Sequence, residues 1–135
     1  MTAVLIDSNV LLDVMTEDPQ WLSWSAGALE DAANSSRLVV NAIVYAEVSV
    51  RYSRIEDLEA ALPKELIERE AIPYEAGFLA GKAFLAYRRR GGTKRSSLPD
   101  FFIGAHAAVA GYRLLTRDAA RYRSYFPGLR MISPE

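Results

Sequence analysis

The sequence has no cysteine and a single histidine, His106. The first absence excludes disulfides, thiol nucleophiles and thiolate zinc sites. It is compatible with a reducing compartment. The scarcity of histidine excludes a ribonuclease mechanism built on a histidine pair and a histidine-rich zinc centre. Neither sign of charge is in excess: 16 Lys and Arg stand against 17 Asp and Glu, for a formal net charge of −1. No global basic field therefore attracts an anionic polymer. Such a partner must be met by a local patch or through a metal. Long hydrophobic runs are also missing. The N-terminus shows no basic stretch followed by an apolar segment of signal length. The apolar residues 101–111 enclose His106 and are too few to span a bilayer. A soluble cytoplasmic protein with no membrane association is the expectation.

What is present reads as one domain over residues 1–135. Half of the chain is hydrophobic, enough for a single core. The first apolar run, Ala3-Val4-Leu5-Ile6, has the continuous aliphatic character of a strand buried on both faces. It stops abruptly at Asp7-Ser8-Asn9. Similar runs at 37–40, 112–115 and 129–132 end in or near short polar residues, among them Asn41 and Thr116-Arg117-Asp118. Between them the spacing of apolar residues predicts helices over 10–15, 21–33, 42–52, 55–62, 74–87, 101–110 and 119–125. Residues 65–72 are charged and follow neither period clearly. Strands alternating with helices predict a parallel sheet with helices on both faces. Right-handed crossovers then bring the strand ends near residues 7, 41 and 116 to one edge, where α/β proteins collect their ligands.

Four acids belong to that edge. Asp7 and Asp118 follow strands, Glu47 lies on the helix leaving the second strand, and Asp100 opens the helix that feeds the third. Each has an ordinary structural explanation. Asp7 and Asp118 suit helix N-caps. Glu47 precedes Arg51 with the favourable i,i+4 spacing. Ser97 and Asp100 have capping-box spacing. Together, however, four carboxylates about 5 Å apart would repel by about 3 kcal/mol per pair at an effective dielectric near 20. A hard divalent cation, Mg²⁺ or Mn²⁺, relieves such repulsion, because it prefers carboxylate and water oxygens. A metal held in this way activates water and orients phosphate. The one strongly basic segment, residues 88–97, follows a predicted helix. Arg88, Arg89, Lys94 and Arg95 there suit either a solvated helix end or contact with RNA phosphates.

The segments Leu5-Ile6-Asp7-Ser8-Asn9-Val10-Leu11-Leu12-Asp13, Asn41-Ala42-Ile43-Val44-Tyr45-Ala46-Glu47, Leu98-Pro99-Asp100-Phe101-Phe102-Ile103-Gly104-Ala105-His106-Ala107 and Leu114-Leu115-Thr116-Arg117-Asp118 run in order over nearly the whole chain. In this pattern the sequence resembles the PIN-domain family, specifically the VapC-type toxins of toxin–antitoxin pairs. The resemblance implies a three-layer α/β/α domain with a central, mainly parallel sheet of four to five strands. It implies a Mg²⁺- or Mn²⁺-dependent endoribonuclease in which Asp7, Glu47, Asp100 and Asp118 form the metal cluster. Ser8, Asn9 and Thr116 match supporting polar positions. Water attack would leave 5′-phosphate and 3′-hydroxyl ends on the RNA. A homodimer and a cognate antitoxin are implied as partners. The non-enzymatic alternative is a catalytically weak module of the same fold that binds RNA or a partner protein. An aspartyl-phosphate phosphatase is disfavoured. Asp7-Ser8-Asn9 is similar to the Asp-x-Asp start of haloacid-dehalogenase-like enzymes, but Asn9 cannot serve as a general acid.

Overall fold

β1 (Ala3–Ile6) is buried along its entire length. A strand with four apolar residues and no polar face must be covered on both sides. In the computed structural model, which describes residues 2–91 and 97–135, it runs through the centre of a five-stranded parallel sheet. The chain continues through α1 (Ser8–Met15) and α2 (Leu22–Ser35) to β2 (Arg37–Val40), which pairs beside β1. α3 (Ala42–Ser49) and α4 (Ile55–Ala61) lead to the edge strand β3 (Ile67–Arg69). α5 (Tyr74–Arg89) and α6 (Leu98–Ala110) then carry the chain across to β4 (Arg113–Leu115), on the other side of β1. α7 (Ala120–Arg123) precedes β5 (Met131–Ile132) at the opposite edge. The strand order is β3-β2-β1-β4-β5. The order reverses around β1, so the crevice beyond the carboxyl ends of β1 and β4 is a topological switch point.

Two details depart from the sequence expectation. β3 lies in the charged segment that showed no clear period. As an edge strand it has no apolar face to display: Ile67 and Arg69 are half-buried and Glu68 is exposed. Its order comes from pairing with β2, which local pattern does not reveal. β5 is confined to Met131–Ile132, two residues shorter than expected.

Helix boundaries follow local chemistry. α6 begins with a Ser97–Asp100 capping box and Pro99 in its first turn. It ends at Gly111, whose φ of 74° lies in the left-handed region that favours glycine. α5 and α6 pack through aromatics: the Phe101 ring lies 5.5 Å from Phe84, 5.4 Å from Tyr87 and 5.4 Å from Tyr125. Gly104 lets the segment after β4 approach this helix. A Cβ there would sit 2.6 Å from the Phe126 ring and 3.0 Å from Tyr122. A second clamp holds the β4–α7 connection. Asp13, buried on α1, accepts hydrogen bonds from Arg117 Nε at 2.8 Å, Arg117 Nη2 at 3.0 Å and Ser25 Oγ at 2.7 Å. Arg117 also stacks over Trp21.

Candidate active site

Asp7 is delivered by β1 to the switch point and caps α1 in extended conformation. Its backbone N–H still donates to Leu115 of β4 at 2.9 Å, so it sits where the two central strands separate. The carboxylate is only 2 % exposed. Oδ1 accepts from the Ser8 N–H at 2.8 Å, while Oδ2 accepts from Thr116 Oγ1 and Tyr122 OH, each at 2.8 Å, and from Asn9 Nδ2 at 3.4 Å. Burial raises the carboxyl pKa above the ordinary value, against the hydrogen bonds from Tyr122 and Thr116. The negative charge of Asp100 raises it further.

The supporting residues form one lattice. Thr116 Oγ1 donates to Asp7 and accepts from the Asp118 N–H at 3.0 Å, so it ties the two strand ends together. Asn9 Oδ1 accepts from the Arg117 N–H at 3.2 Å. Ser8 Oγ donates to Glu47 Oε1 at 2.8 Å. Glu47 therefore turns toward Asp7 rather than pairing with Arg51. Desolvation raises the Glu47 carboxyl pKa, and the charges of Asp7 and Asp100 add to the shift against the Ser8 hydrogen bond.

Asp100 faces two ways. Oδ2 accepts from the Ser97 N–H at 3.0 Å, completing the cap, and Oδ1 lies 3.4 Å from Arg121 Nη1. Asp118 does not cap α7. Its carboxylate meets Arg121 Nη2 at 3.1 Å instead, and that i,i+3 pair replaces the cap. The structure thus links Asp7 to Asp118 through Thr116, Asp100 to Asp118 through Arg121, and Glu47 to Ser8 beside Asp7, with Asn9 bonded to both Asp7 and the Arg117 N–H.

Two participants, Arg121 and Tyr122, have no place in the sequence expectation. Arg121 bridges Asp100 and Asp118. Tyr122, 1 % exposed, presents its hydroxyl to Asp7. His106 lies behind the site. Asn41 Oδ1 accepts from the Val44 N–H and caps α3, so its Nδ2 faces His106 Nδ1 at 3.0 Å. This geometry assigns the ring proton to Nε2, which meets Glu70 Oε2 at 2.8 Å. The i,i+3 spacing of Asp118 and Arg121 was a readable signal. No local pattern marked Tyr122.

The basic segment is placed only in part. Arg88 and Arg89 are exposed in the last turn of α5, and Arg88 lies over Phe84. Lys94 and Arg95 fall outside the described residues.

The donor set is all oxygen, as a hard divalent ion requires. Its arrangement is not that of a ready site: among the described residues, no group of three or more His, Asp or Glu side chains is disposed to hold a metal ion. Asp7 is spent on hydrogen bonds and Arg121 spans two of the other acids.

Among the described residues, no helix is long and apolar enough to cross a membrane. No curated protein matches the chain by sequence. The fold is similar to solved structures over nearly all of its length. VapBC2 from Rickettsia felis, bound to a DNA fragment from their promoter, matches with a TM-score of 0.75 at 17% identity, covering 98% of both chains. VapBC-1 from nontypeable Haemophilus influenzae matches with a TM-score of 0.74 at 18% identity and the same coverage. A toxin–antitoxin complex from Klebsiella pneumoniae matches with a TM-score of 0.71 at 20% identity, again over 98% of both chains. The family model for the PIN domain matches residues 4–126, a span that takes in residues 4–6 of β1, all of β4 and the four acids, and on that match the chain belongs to the PIN-domain family.

Proposed function

We propose that the protein is a divalent-metal-dependent endoribonuclease toxin of the VapC type, neutralised by a cognate antitoxin and assembled as a homodimer. The observation that carries this reading is the convergence of four acids at the switch point, two of them with raised pKa values. Two carboxylates whose burial raises their pKa values, beside two more that share one arginine, are not an arrangement that stability alone selects. The arrangement offers a site for a cation. The likeness to toxin–antitoxin complexes supports the choice of toxin over other nucleases.

In this reading Asp7, Glu47, Asp100 and Asp118 would hold Mg²⁺ or Mn²⁺, which when bound lowers the pKa of water and orients a phosphate. The chain's own residues fix the geometry. Thr116 and Tyr122 hold Asp7 Oδ2, and the Ser8 N–H holds Oδ1. Ser8 Oγ turns Glu47 toward Asp7. The Asp13–Arg117 clamp fixes the turn that carries Thr116 and Asp118. No histidine takes part: His106 is fully buried behind β2 and α3.

The Arg121 bridge favours a second reading, a catalytically weak module that binds RNA or a partner protein. One experiment separates the two. Purified wild type and Asp7→Asn are incubated with a mixed structured RNA pool, in EDTA and then in Mg²⁺ or Mn²⁺, and the ends are mapped. Metal-dependent cuts with 5′-phosphate ends, absent in Asp7→Asn, are expected. RNA bound but uncut by wild type would leave the binding module.

A further inference from the structure

Arg121 is placed as a fixed cation rather than a surface charge. Its fork spans carboxylates from two elements, Asp100 on α6 at 3.4 Å and Asp118 before α7 at 3.1 Å. The helix that carries it is anchored. Tyr122, the next residue, is buried against Asp7, and Phe126 packs on Gly104. The Arg121 side chain is 31 % exposed, which leaves it an outward path.

Resting on the reading of the cleft as a divalent-cation site, we propose that Arg121 is a resident counter-ion. It occupies the charge of the cleft in the metal-free protein and must swing clear of Asp100 and Asp118 before the ion binds. A guanidinium and a divalent ion compete for the same carboxylate oxygens, and two cations repel at that range. The competition accounts for a cleft with the right donors and no group of acids disposed for a metal among the described residues. It also explains how the metal-free chain tolerates four clustered carboxylates. The cost is a weaker affinity for the ion. Arg121 thereby sets the metal concentration at which the site fills.

The test is Mn²⁺ binding to the full chain, followed by the electron paramagnetic resonance signal of the free ion, with melting temperatures recorded beside it. Arg121→Gln is expected to tighten Mn²⁺ binding about tenfold or more, by removal of a like charge a few ångströms away. Arg121→Lys, a charge without the fork, should fall between the two. Without metal, Arg121→Gln should melt lower than wild type, and saturating Mn²⁺ should raise its melting temperature by more. Equal or weaker Mn²⁺ binding in Arg121→Gln would overturn the proposal, since Arg121 would then order the carboxylates or meet phosphate. If neither protein bound Mn²⁺, the metal reading itself would fail and this inference with it. Should Arg121→Gln not fold, Arg121→Lys against wild type gives the same sign.

Discussion

Asp7 concentrates the conflict between folding and function in one side chain. It ends the central strand, caps α1 and accepts four hydrogen bonds, yet its burial still raises its pKa. The sign of the consequence follows from linkage. A folded carboxyl with a raised pKa binds its proton at a pH where the unfolded chain has lost it. Ionised Asp7 therefore destabilises the metal-free fold near neutrality. That deficit is recovered as pH falls through the folded pKa toward the ordinary carboxylate value. Glu59 and Glu70 carry lowered pKa values and act in the opposite direction, so total stability is not the right observable. The difference between Asp7→Asn and wild type isolates the group. In urea unfolding without metal, the advantage of Asp7→Asn at pH 7 should shrink as pH falls toward 4. An advantage that grew on acidification would mean that hydrogen bonds outweigh burial at Asp7.

At the scale of elements, α6 shows what a sequence reveals and what it conceals. Its cap, its terminating glycine and its Ala- and Gly-rich character were all readable from residues 97–111. Its neighbours were not. Gly104 is small because the Phe126 ring lies across it, from a segment more than twenty residues away. Gly104→Ala should cost about 1–3 kcal/mol by overpacking. Because the same Cβ presses on Tyr122, the substitution should also displace the hydroxyl that holds Asp7. Denaturant unfolding measures the first effect; loss of metal-dependent cleavage beyond the loss of folded protein measures the second. His106, the single histidine of the chain, is completely buried. Its partners Asn41 and Glu70 are the residues that follow β2 and β3, and no local period announces them. His106→Ala would leave buried Asn41 without its partner and loosen the cap of the helix that carries Glu47. A loss of about 2–4 kcal/mol is expected from the cavity and the unpaired polar group together. A loss under about 1 kcal/mol would mean that water replaces the imidazole without penalty.

For the molecule as a whole, the parallel sheet and the edge that holds the acids were legible because strand ends and polar residues coincide at 7, 41 and 116. The ion pair within the cleft was not. The acids were counted without the arginine that the short α7 brings among them, a contact that exists only after folding. The balance of charge leads to a similar question about the substrate. On the proposed reading, a chain with net charge −1 and a cluster of acids at its site needs basic contacts beyond that site to hold RNA. Arg88 and Arg89, exposed at the end of α5, are placed for that or for the helix dipole alone. The salt dependence of binding distinguishes the roles. Each phosphate contact to a single strand contributes about 0.7 to the slope of log K against log salt. In an Asp7→Asn background, expected on the proposed reading to bind RNA without cutting it, Arg88→Ala with Arg89→Ala should flatten the slope by about 1.4 if both arginines meet phosphate. If they serve only the dipole, the slope stays fixed and the pair of substitutions costs about 0.3–1 kcal/mol of stability per charge instead. The two outcomes fall on different instruments, a binding titration and an unfolding curve, so neither can be mistaken for the other.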